Sequence, residues 1–560
     1  MMPSFDFIRC CKNGILLVMA ALLFACNEHV HVGEKEIVAT PEQINSKAEE
    51  VIQGTLKDVL QGSSDTAQSF GIKNAGVLKS LYEDLSYQPI WSAKGHFYAW
   101  GDSLFQLIDS ARYRGLFPED YHQEKLKALQ QELTLDTSKE NKLDAAKWAY
   151  CDLLLSSAFV QFTKDLKKGR LLPDSVLSRD STLTLDFYKE QLTRLKDSGV
   201  TAFADQLEPR HQGYQELKEA LAGFIRQADF RTYTSVRSKD SMQLRTLLYK
   251  RLSEEDSLQL VPLPNPDSLQ MSSAIRRYQE YKKIKADGKY SSALIARLNN
   301  TDLEKFIRIA ITLDRYKSLE PLPEQYIWVN IPSYFLQVRE GDSVVLTSKV
   351  VVGKPVTKTP VITSSITDMI TYPKWHIPES IIKKDILPGL KRDPGYTIRK
   401  GFMLVDQDNN EVDPYSVNWS KYTNGIPYSV IQGSGDDNAL GVIKFNFPNK
   451  HSVYLHDTNQ RYLFSRSSRA LSHGCVRVES WQKLSAFLLR NDSAFTSAAL
   501  PVDSLNQWLM RKEKHVIPVR KRVPLFIRYF TCEAKDGAVV FYEDVYGEDR
   551  SIRDKIFSTK

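Results

Sequence analysis

A chain of 560 residues, 42% hydrophobic and 11% aromatic, has room for roughly two to four domains and enough apolar side chains to fill them, which excludes a largely disordered polypeptide. Its 75 Lys and Arg against 68 Asp and Glu leave a formal charge of +7. That excess is spread along the chain without a dense basic block, so no nucleic-acid partner is expected.

Arg9 and Lys12 precede an apolar run from Gly14 to Phe24 that closes on Leu23-Phe24-Ala25-Cys26. A charged start, a short apolar stretch and a small residue before a cut form the pattern of an export signal, and the run is too short to span a bilayer. Leu-x-Ala-Cys resembles a bacterial lipobox. The resemblance implies that residues 1–26 act as a lipoprotein signal and that Cys26 carries the lipid; an ordinary secretory signal with an incidental cysteine is the other reading. The remainder is then expected outside the cytoplasm, in the periplasm of a Gram-negative envelope, tethered to a membrane. Cys151, Cys475 and Cys532 remain, an odd number in an exported protein, so a monomer holds at least one free thiol.

Residues 27–70 are polar, rich in Glu, Gln, Ser and Thr, and read as a flexible tether with room for some helix. From 71 to 260 helical spacing dominates. Leu78, Leu81, Tyr82 and Leu85 fall at i, i+3, i+4 and i+7, as do Leu104, Leu107, Ile108 and Ala111, and Gly115 with Pro118 stops the second helix. The stripe Trp148, Cys151, Leu155, Phe159, Phe162 and Leu166 puts Cys151 in a core. No group of reactive side chains gathers there, so the region is expected to be a helical scaffold. Pro262, Pro264 and Pro266 mark a linker. A helix–turn–helix over 261–300 follows, with Ala274, Tyr278 and Tyr281 on one face, Asp287-Gly288 as the turn, then Leu294 and Leu298. The string from Ile275 to Asn299 resembles small peptidoglycan-binding modules, although Lys289-Tyr290 replaces the usual glycine before the second helix; a plain helical hairpin is the alternative. Residues 301–325 read as a continuation of the scaffold through Ile307, Ile311 and Leu313.

From Tyr326 the period changes to two, with Ile327, Val329 and Ile331, then a hairpin at Gly341-Asp342 and a return through Val344 to Val352. This opens a mainly-β domain over 326–500. The run Tyr372 to Pro378 carries two prolines and Trp375 and cannot continue a central strand. Residues 379–437 are mixed, polar and rich in Pro and Gly, and a segment this long inside a domain reads as a cap or lid. Trp481 to Leu489 is a short amphipathic helix. Over 501–560 a helix and a hairpin, pairing Leu525, Ile527 and Tyr529 with Val539 to Tyr542 across Asp536-Gly537, return to the scaffold.

The chemistry concentrates between Gly441 and Val478. Val453 and Leu455 alternate with Tyr454 and His456, a strand that presents the latter two on one face. Cys475 follows Gly474, where a tight turn leaves a sulfur accessible. A cysteine nucleophile needs a base, and His456 is the obvious one. Two other readings use the same residues: a cysteine serving as a small buried apolar group, and a metal site drawing on His451, His456, His473 and Cys475, whose spacings match none of the usual zinc patterns. His451 reads as a turn residue.

The ordered string His456-Asp457-Thr458, Leu463-Phe464 and Arg469-Ala470-x-Ser472-His473-Gly474-Cys475-Val476-Arg477-Val478 resembles the signature of the L,D-transpeptidases, bacterial enzymes that cross-link peptidoglycan through a catalytic cysteine. Tyr87-x-Pro89-x-Trp91 and Gly115 to Tyr121 resemble the scaffold of the larger Gram-negative members, and Val350 to Pro360 the early strands of their catalytic fold. The implied architecture is α+β and multidomain: a helical N-terminal scaffold, a small helical peptidoglycan-binding-like module and a mainly-β catalytic domain with a capping insertion. The resemblance implies Cys475 as nucleophile, His456 as base with a neighbouring imidazolium stabilising the thiolate, and a backbone carbonyl near Asp457 as the third member. The amides of His473, Gly474 and Cys475 would form an oxyanion hole, with Ser472 fixing the turn. Tyr454, Arg469 and Arg477 are candidates for substrate carboxylates, the alternative for both arginines being structural pairing, and Trp375 would stand at the hinge of the cap. The implied partners are peptidoglycan stem peptides and glycan, with no cofactor and no metal. An L,D-carboxypeptidase of the same fold, or a non-catalytic lipid-anchored wall-binding protein, are the alternatives.

Overall fold

The computed structural model describes residues 35–61, 71–135, 138–171, 183–496 and 501–558. The export signal, Cys26 and the segments of the expected tether at 27–34 and 62–70 lie outside the described residues. The chain divides into two compact units, one of residues 1–169 with 180–208 and one of 170–179 with 209–560.

The first unit is helical. Its axis is Ala145–Lys168, capped by the Asp144 carboxylate, which accepts from the Lys147 amide at 3.3 Å. Leu153, Leu154, Leu155, Phe159 and Phe162 point to several sides of this helix and are all buried. A helix apolar all round must be enclosed, and the surrounding helices Ile44–Gln61, Ala75–Glu83, Gln123–Thr134 and Leu185–Leu207 enclose it. Asp152 is buried in this core, where its carboxylate accepts from the Tyr82 hydroxyl at 2.5 Å and from the Ile90 and Trp91 amides. The helix Ile44–Gln61 corrects the reading of 27–70 as a tether: Ile44, Ala48, Val51, Ile52, Leu56 and Val59 form its buried stripe.

In the second unit, the helix Gln212–Ile225 packs against Asp302–Lys317 and against the hairpin Cys532–Lys535/Ala538–Phe541. The expected single scaffold over 71–260 is thereby divided at residue 208. The helical module is also larger than 261–300. Ser268–Tyr281 and Ser292–Asn299 share a core with Leu248 and Leu252 of Ser241–Ser253. Two short helices bury too little alone, so the third completes the module.

The site rests on a nine-stranded sheet. We label its strands β1 (Gln325–Asn330), β2 (Phe335–Glu340), β3 (Ser343–Gly353), β4 (Ile362–Thr371), β5 (Ile443–Asn446), β6 (Leu455–His456), β7 (Ala470–Ser472), β8 (Val476–Val478) and β9 (Val516–Arg528). Their order is β7-β3-β8-β6-β5-β4-β9-β1-β2, and β2 pairs again with β3, so the sheet closes on itself. Alternate residues of these strands (Ile327, Val329, Val350, Ile366, Phe445, Leu455, Val476, Leu525) meet inside, against Leu484 and Leu488 of the helix Trp481–Phe495.

Two expectations change here. β9 lies between β4 and β1, parallel to β1 with Leu525 opposite Ile327, so the sheet of the mainly-β domain extends well past residue 500. Leu525 and Ile527 are therefore sheet core, and the terminal hairpin pairs Cys532 with Phe541 instead. The insertion is also more than a polar loop. Trp375–His376, Ser429–Gln432 and Phe402–Val405 form a three-stranded antiparallel sheet over a core of Ile377, Ile386, Leu390, Leu404, Trp419 and Val430.

β9 buries Ile517, Val519, Val523, Leu525 and Ile527, each contributing about 1.5–3 kcal/mol, a sum comparable with the whole stability of a domain. A chain ending at residue 500 is expected to lose the cooperative unfolding of the mainly-β domain, read by near-UV circular dichroism during thermal melting. A native-like melt from that truncated chain would contradict this placement of β9.

Candidate active site

The register of three neighbouring strands assembles the site. β6 runs parallel to β8 with Leu455 opposite Val476 and His456 opposite Arg477. β5 runs antiparallel to β6 with Phe445 opposite Leu455 and Lys444 opposite His456. Leu455, Val476 and Phe445 are fully buried on the core side, so Tyr454, His456, Cys475, Arg477 and Lys444 occupy the other face. The Val476 amide donates to the Tyr454 carbonyl at 3.1 Å, which seats Cys475 beside Tyr454 and diagonally from His456. Strand spacing and rise put that diagonal at roughly 8 Å between Cα atoms, within reach for two inward-turned side chains.

The turn holding the sulfur is braced from three sides. Gly474 has φ of +124°, a conformation that disfavours any other residue. Ser472 Oγ accepts from the Gly474 amide at 3.1 Å and donates to the Cys475 carbonyl at 2.6 Å. Thr359 donates to the Gly474 carbonyl at 2.7 Å, and Thr357 to the Ser472 carbonyl at 3.1 Å. Tyr546 locks this bracing loop in turn, donating to the Gly353 carbonyl at 2.7 Å and accepting from the Thr359 amide at 3.0 Å. Neither threonine nor Tyr546 has a sequence signal that would single it out. The expected oxyanion set is corrected at Gly474, whose amide is committed to Ser472.

Cys475 is half-buried, whereas the other cysteines of the described residues, Cys151 and Cys532, are buried and also free. Burial pushes all three thiols up, that of Cys532 to about 12. At Cys475 the opposing influences are the Tyr454 backbone and hydroxyl, then the Lys444 and Arg477 cations. The thiol points to the Ser452 carbonyl at 3.9 Å. His456 is 4% exposed, and burial first, then the Arg477 cation, depress it to about 3. It is a neutral imidazole at neutral pH, which corrects the expectation of a resting imidazolium beside the thiolate. Its Nδ1 is buried without a well-aligned hydrogen bond, although the Asp457 and Leu440 backbone groups beside it favour the protonated form. The Asp457 carboxylate is occupied elsewhere, accepting from the Val442 amide at 3.1 Å and from Arg461 at 2.8 Å.

The remaining expected residues separate. Arg469 is corrected from substrate ligand to structural clamp. Its guanidinium donates to the carbonyls of Val350, Tyr334 and Arg466 and lies over the Tyr334 and Phe335 rings. Arg477 stays on the site face, donating to Gln460 Oε1 at 3.0 Å and Thr458 Oγ1 at 3.3 Å. His473 Nε2 meets Asp385 Oδ2 of the insertion at 2.9 Å. The Trp375 indole lies beside the Tyr454 hydroxyl, yet its N–H is buried without an aligned acceptor. His451 is exposed in a turn whose Asn449 side chain accepts its amide. Among the described residues, no three His, Cys, Asp or Glu side chains converge as metal ligands. Lys444 is the member of the face that sequence reasoning missed. The alternation of Ile443, Lys444 and Phe445 could have placed it there.

Residues 324–495 match the family described as the L,D-transpeptidase catalytic domain, and residues 76–221 match a scaffold domain family. A protein of Haemophilus influenzae that bears the name "Putative L,D-transpeptidase" is 40% identical over 226 residues, which make up 40% of this chain and 45% of that protein. The chain thus matches less than half the length of this curated relative.

Two outcomes follow from this geometry. A histidine that must stay neutral in the fold stabilises fully above its unfolded value near 6.5, and this contribution is lost as pH falls toward about 3, at about 1.4 kcal/mol per unit. Denaturant titrations at pH 5 and pH 7.5 should therefore show a smaller acid loss in His456→Gln than in the parent; equal losses would contradict a buried neutral imidazole. Tyr546→Phe strands the Thr359 amide and the Gly353 carbonyl and should cost about 1–3 kcal/mol, measured as a lower denaturant midpoint.

Proposed function

We propose that this chain, which carries an L,D-transpeptidase catalytic domain, is a peptidoglycan L,D-transpeptidase with Cys475 as nucleophile and His456 as general base. The observation that carries the reading is the shared sheet face: a half-buried thiol and a neutral imidazole on adjacent parallel strands, one diagonal apart. A neutral imidazole is the form that accepts a proton, so His456 is ready to act as the thiol attacks.

In this reading the donor is a tetrapeptide stem. Cys475 S–H gives its proton to His456 while the sulfur bonds to the carbonyl carbon of the third residue, a diamino acid attacked at its L centre. The C–N bond to the terminal D-alanine breaks, the proton on His456 passes to the departing amine, and a thioester remains. The side-chain amine of a second stem then attacks the thioester, its proton returns through His456 to the sulfur, and a 3–3 cross-link forms. Backbone amides of the braced turn would stabilise the developing oxyanion, each donor by roughly 3 kcal/mol. Tyr454, Arg477 and Trp375 would line the substrate cleft. Water as acceptor would make the same chemistry an L,D-carboxypeptidase.

The envelope setting belongs to the same proposal, with the lipobox-like end at Cys26 anchoring the chain to a membrane and the site facing the wall. Among the described residues no helix is long and apolar enough to cross a membrane.

Cys475→Ala should abolish D-alanine release from tetrapeptide stems and the formation of 3–3 muropeptides, as followed by mass spectrometry. His456→Ala should lower the rate by about 10²–10⁴-fold, the range for losing a positioned base. Undiminished cross-linking by Cys475→Ala would refute the assignment.

A further inference from the structure

Both halves of the expected catalytic pair are held away from their charged forms, His456 by burial and Arg477, Cys475 by burial. A thiolate formed in this pocket needs a cation that is already present, and the imidazole is not one. Lys444 is placed to supply it. Its Cα partner across the sheet is His456, and its Nζ lies 4.1 Å from the centroid of the Tyr454 ring, the side chain that flanks Cys475. The carboxylate that acts on it, Asp368, is engaged by Asn446 Nδ2 at 2.6 Å and by the Thr367 hydroxyl at 2.7 Å, and the ammonium rests on an aromatic face. An ammonium half-buried beside a ring is costly where an apolar side chain of the same length would fit, and such a position calls for a use other than packing.

We propose that Lys444 is a positioning residue for the nucleophile: laid across the Tyr454 ring beside His456, its ammonium stabilises the Cys475 thiolate, while His456 carries the proton. The proposal rests on the transpeptidase reading above and deepens it. Tyr454, Lys444 and Arg477 act on the sulfur, His456 lies one diagonal away across the strand pair, Asp368 acts on Lys444, and the His473–Asp385 pair sits on the turn that precedes Cys475. Arg477 also acts on the sulfur, but its Nη1 is held by Gln460 and Thr458, whereas among the described residues the Lys444 ammonium makes its contact with the Tyr454 ring. When the thiol ionises, the S–H bond breaks, the proton leaves to His456 or water, and the electron pair stays on sulfur within the field of the ammonium.

The test is alkylation of Cys475 in the full chain by iodoacetamide from pH 6 to pH 11.5, quantified by peptide mass for the parent, Lys444→Met and Lys444→Arg. Removing a unit charge that lies against the Tyr454 ring in a partly screened pocket should move the midpoint of the Lys444→Met profile upward by about one pH unit, with about a tenfold loss of rate at pH 7. Lys444→Arg should bring the midpoint back to within about 0.3 unit of the parent, a restoration that packing alone would not produce. If Lys444→Met does not fold, Lys444→Gln, neutral and polar at similar length, replaces it with the same expected shift. Superimposable profiles for the parent and the neutral variant overturn the proposal, as does a Lys444→Arg profile displaced as far as that of Lys444→Met. Should the parent alkylate at Cys475 yet release no D-alanine from tetrapeptide stems, the transpeptidase reading fails, and the role of Lys444 is decided by the alkylation profiles alone.

Discussion

The parallel pairing of Leu455–His456 with Val476–Val478 is the constraint from which the site follows. Side chains alternate across a strand, so a slip of one residue on either strand would bury the functional side chain and expose its apolar neighbour. Leu455 and Val476 are both completely buried in the sheet core, and that burial fixes the register. The alignment of thiol and imidazole is therefore set by hydrophobic packing on the far side of the sheet, with no direct bond between the two groups required. Arg469 reinforces it by tying three carbonyls around β3, and the Ser472 hydroxyl closes the turn that delivers the sulfur.

Electrostatically the pocket favours neutrality at rest. Burial raises the thiol and depresses the imidazole, and two cations on neighbouring strands pull each in a defined direction. The Arg477 cation acts against protonation of His456 and in favour of ionised sulfur. The same charge thus makes the imidazole a free acceptor and the thiol a better donor. The insertion adjoins this balance at one polar contact, between Asp385 and His473, and at one aromatic one, where Trp375 nears Tyr454. It carries its own apolar core, so it approaches the site as a folded body and not as a loose loop.

Much of this was legible where local pattern and tertiary use agree. The strand alternation around Tyr454 and His456, the glycine turn before Cys475 and the stripe along Trp148 to Leu166 are periodic signals that packing preserves. The extent of the helix Ile44–Gln61 and its buried stripe escaped because its apolar positions are separated by polar residues that dilute composition, although their spacing is helical. The first half of β9 and its place in the sheet escaped for a different reason, although Leu525 and Ile527 read as a strand. Pro518 and Pro524, with Arg520, Lys521 and Arg522 between, argue against a central strand, and the fold accommodates them with a register shift between Pro518 and Val523. Arg469 shows the limit of residue type as evidence, because a guanidinium suits a carboxylate or a set of carbonyls equally and only the fold decides. Lys444 lay in a readable alternation, but its setting depends on a cross-strand neighbour that no local window contains.

The closing strand of the sheet has a consequence for how this chain becomes competent. Phe530, just beyond β9, meets Asn330 across a sequence separation of 200 residues, and the sulfur lies between those two points along the chain. A polypeptide threaded out N-terminus first exposes its thiol before the strand that completes the surrounding sheet has arrived. Long-range closure of this kind is slow compared with local helix formation, so the helical portions are ready while the reactive centre is still open. Delivery of β9 then acts as an assembly checkpoint: the sheet around the thiol closes only after residues 516–528 have emerged.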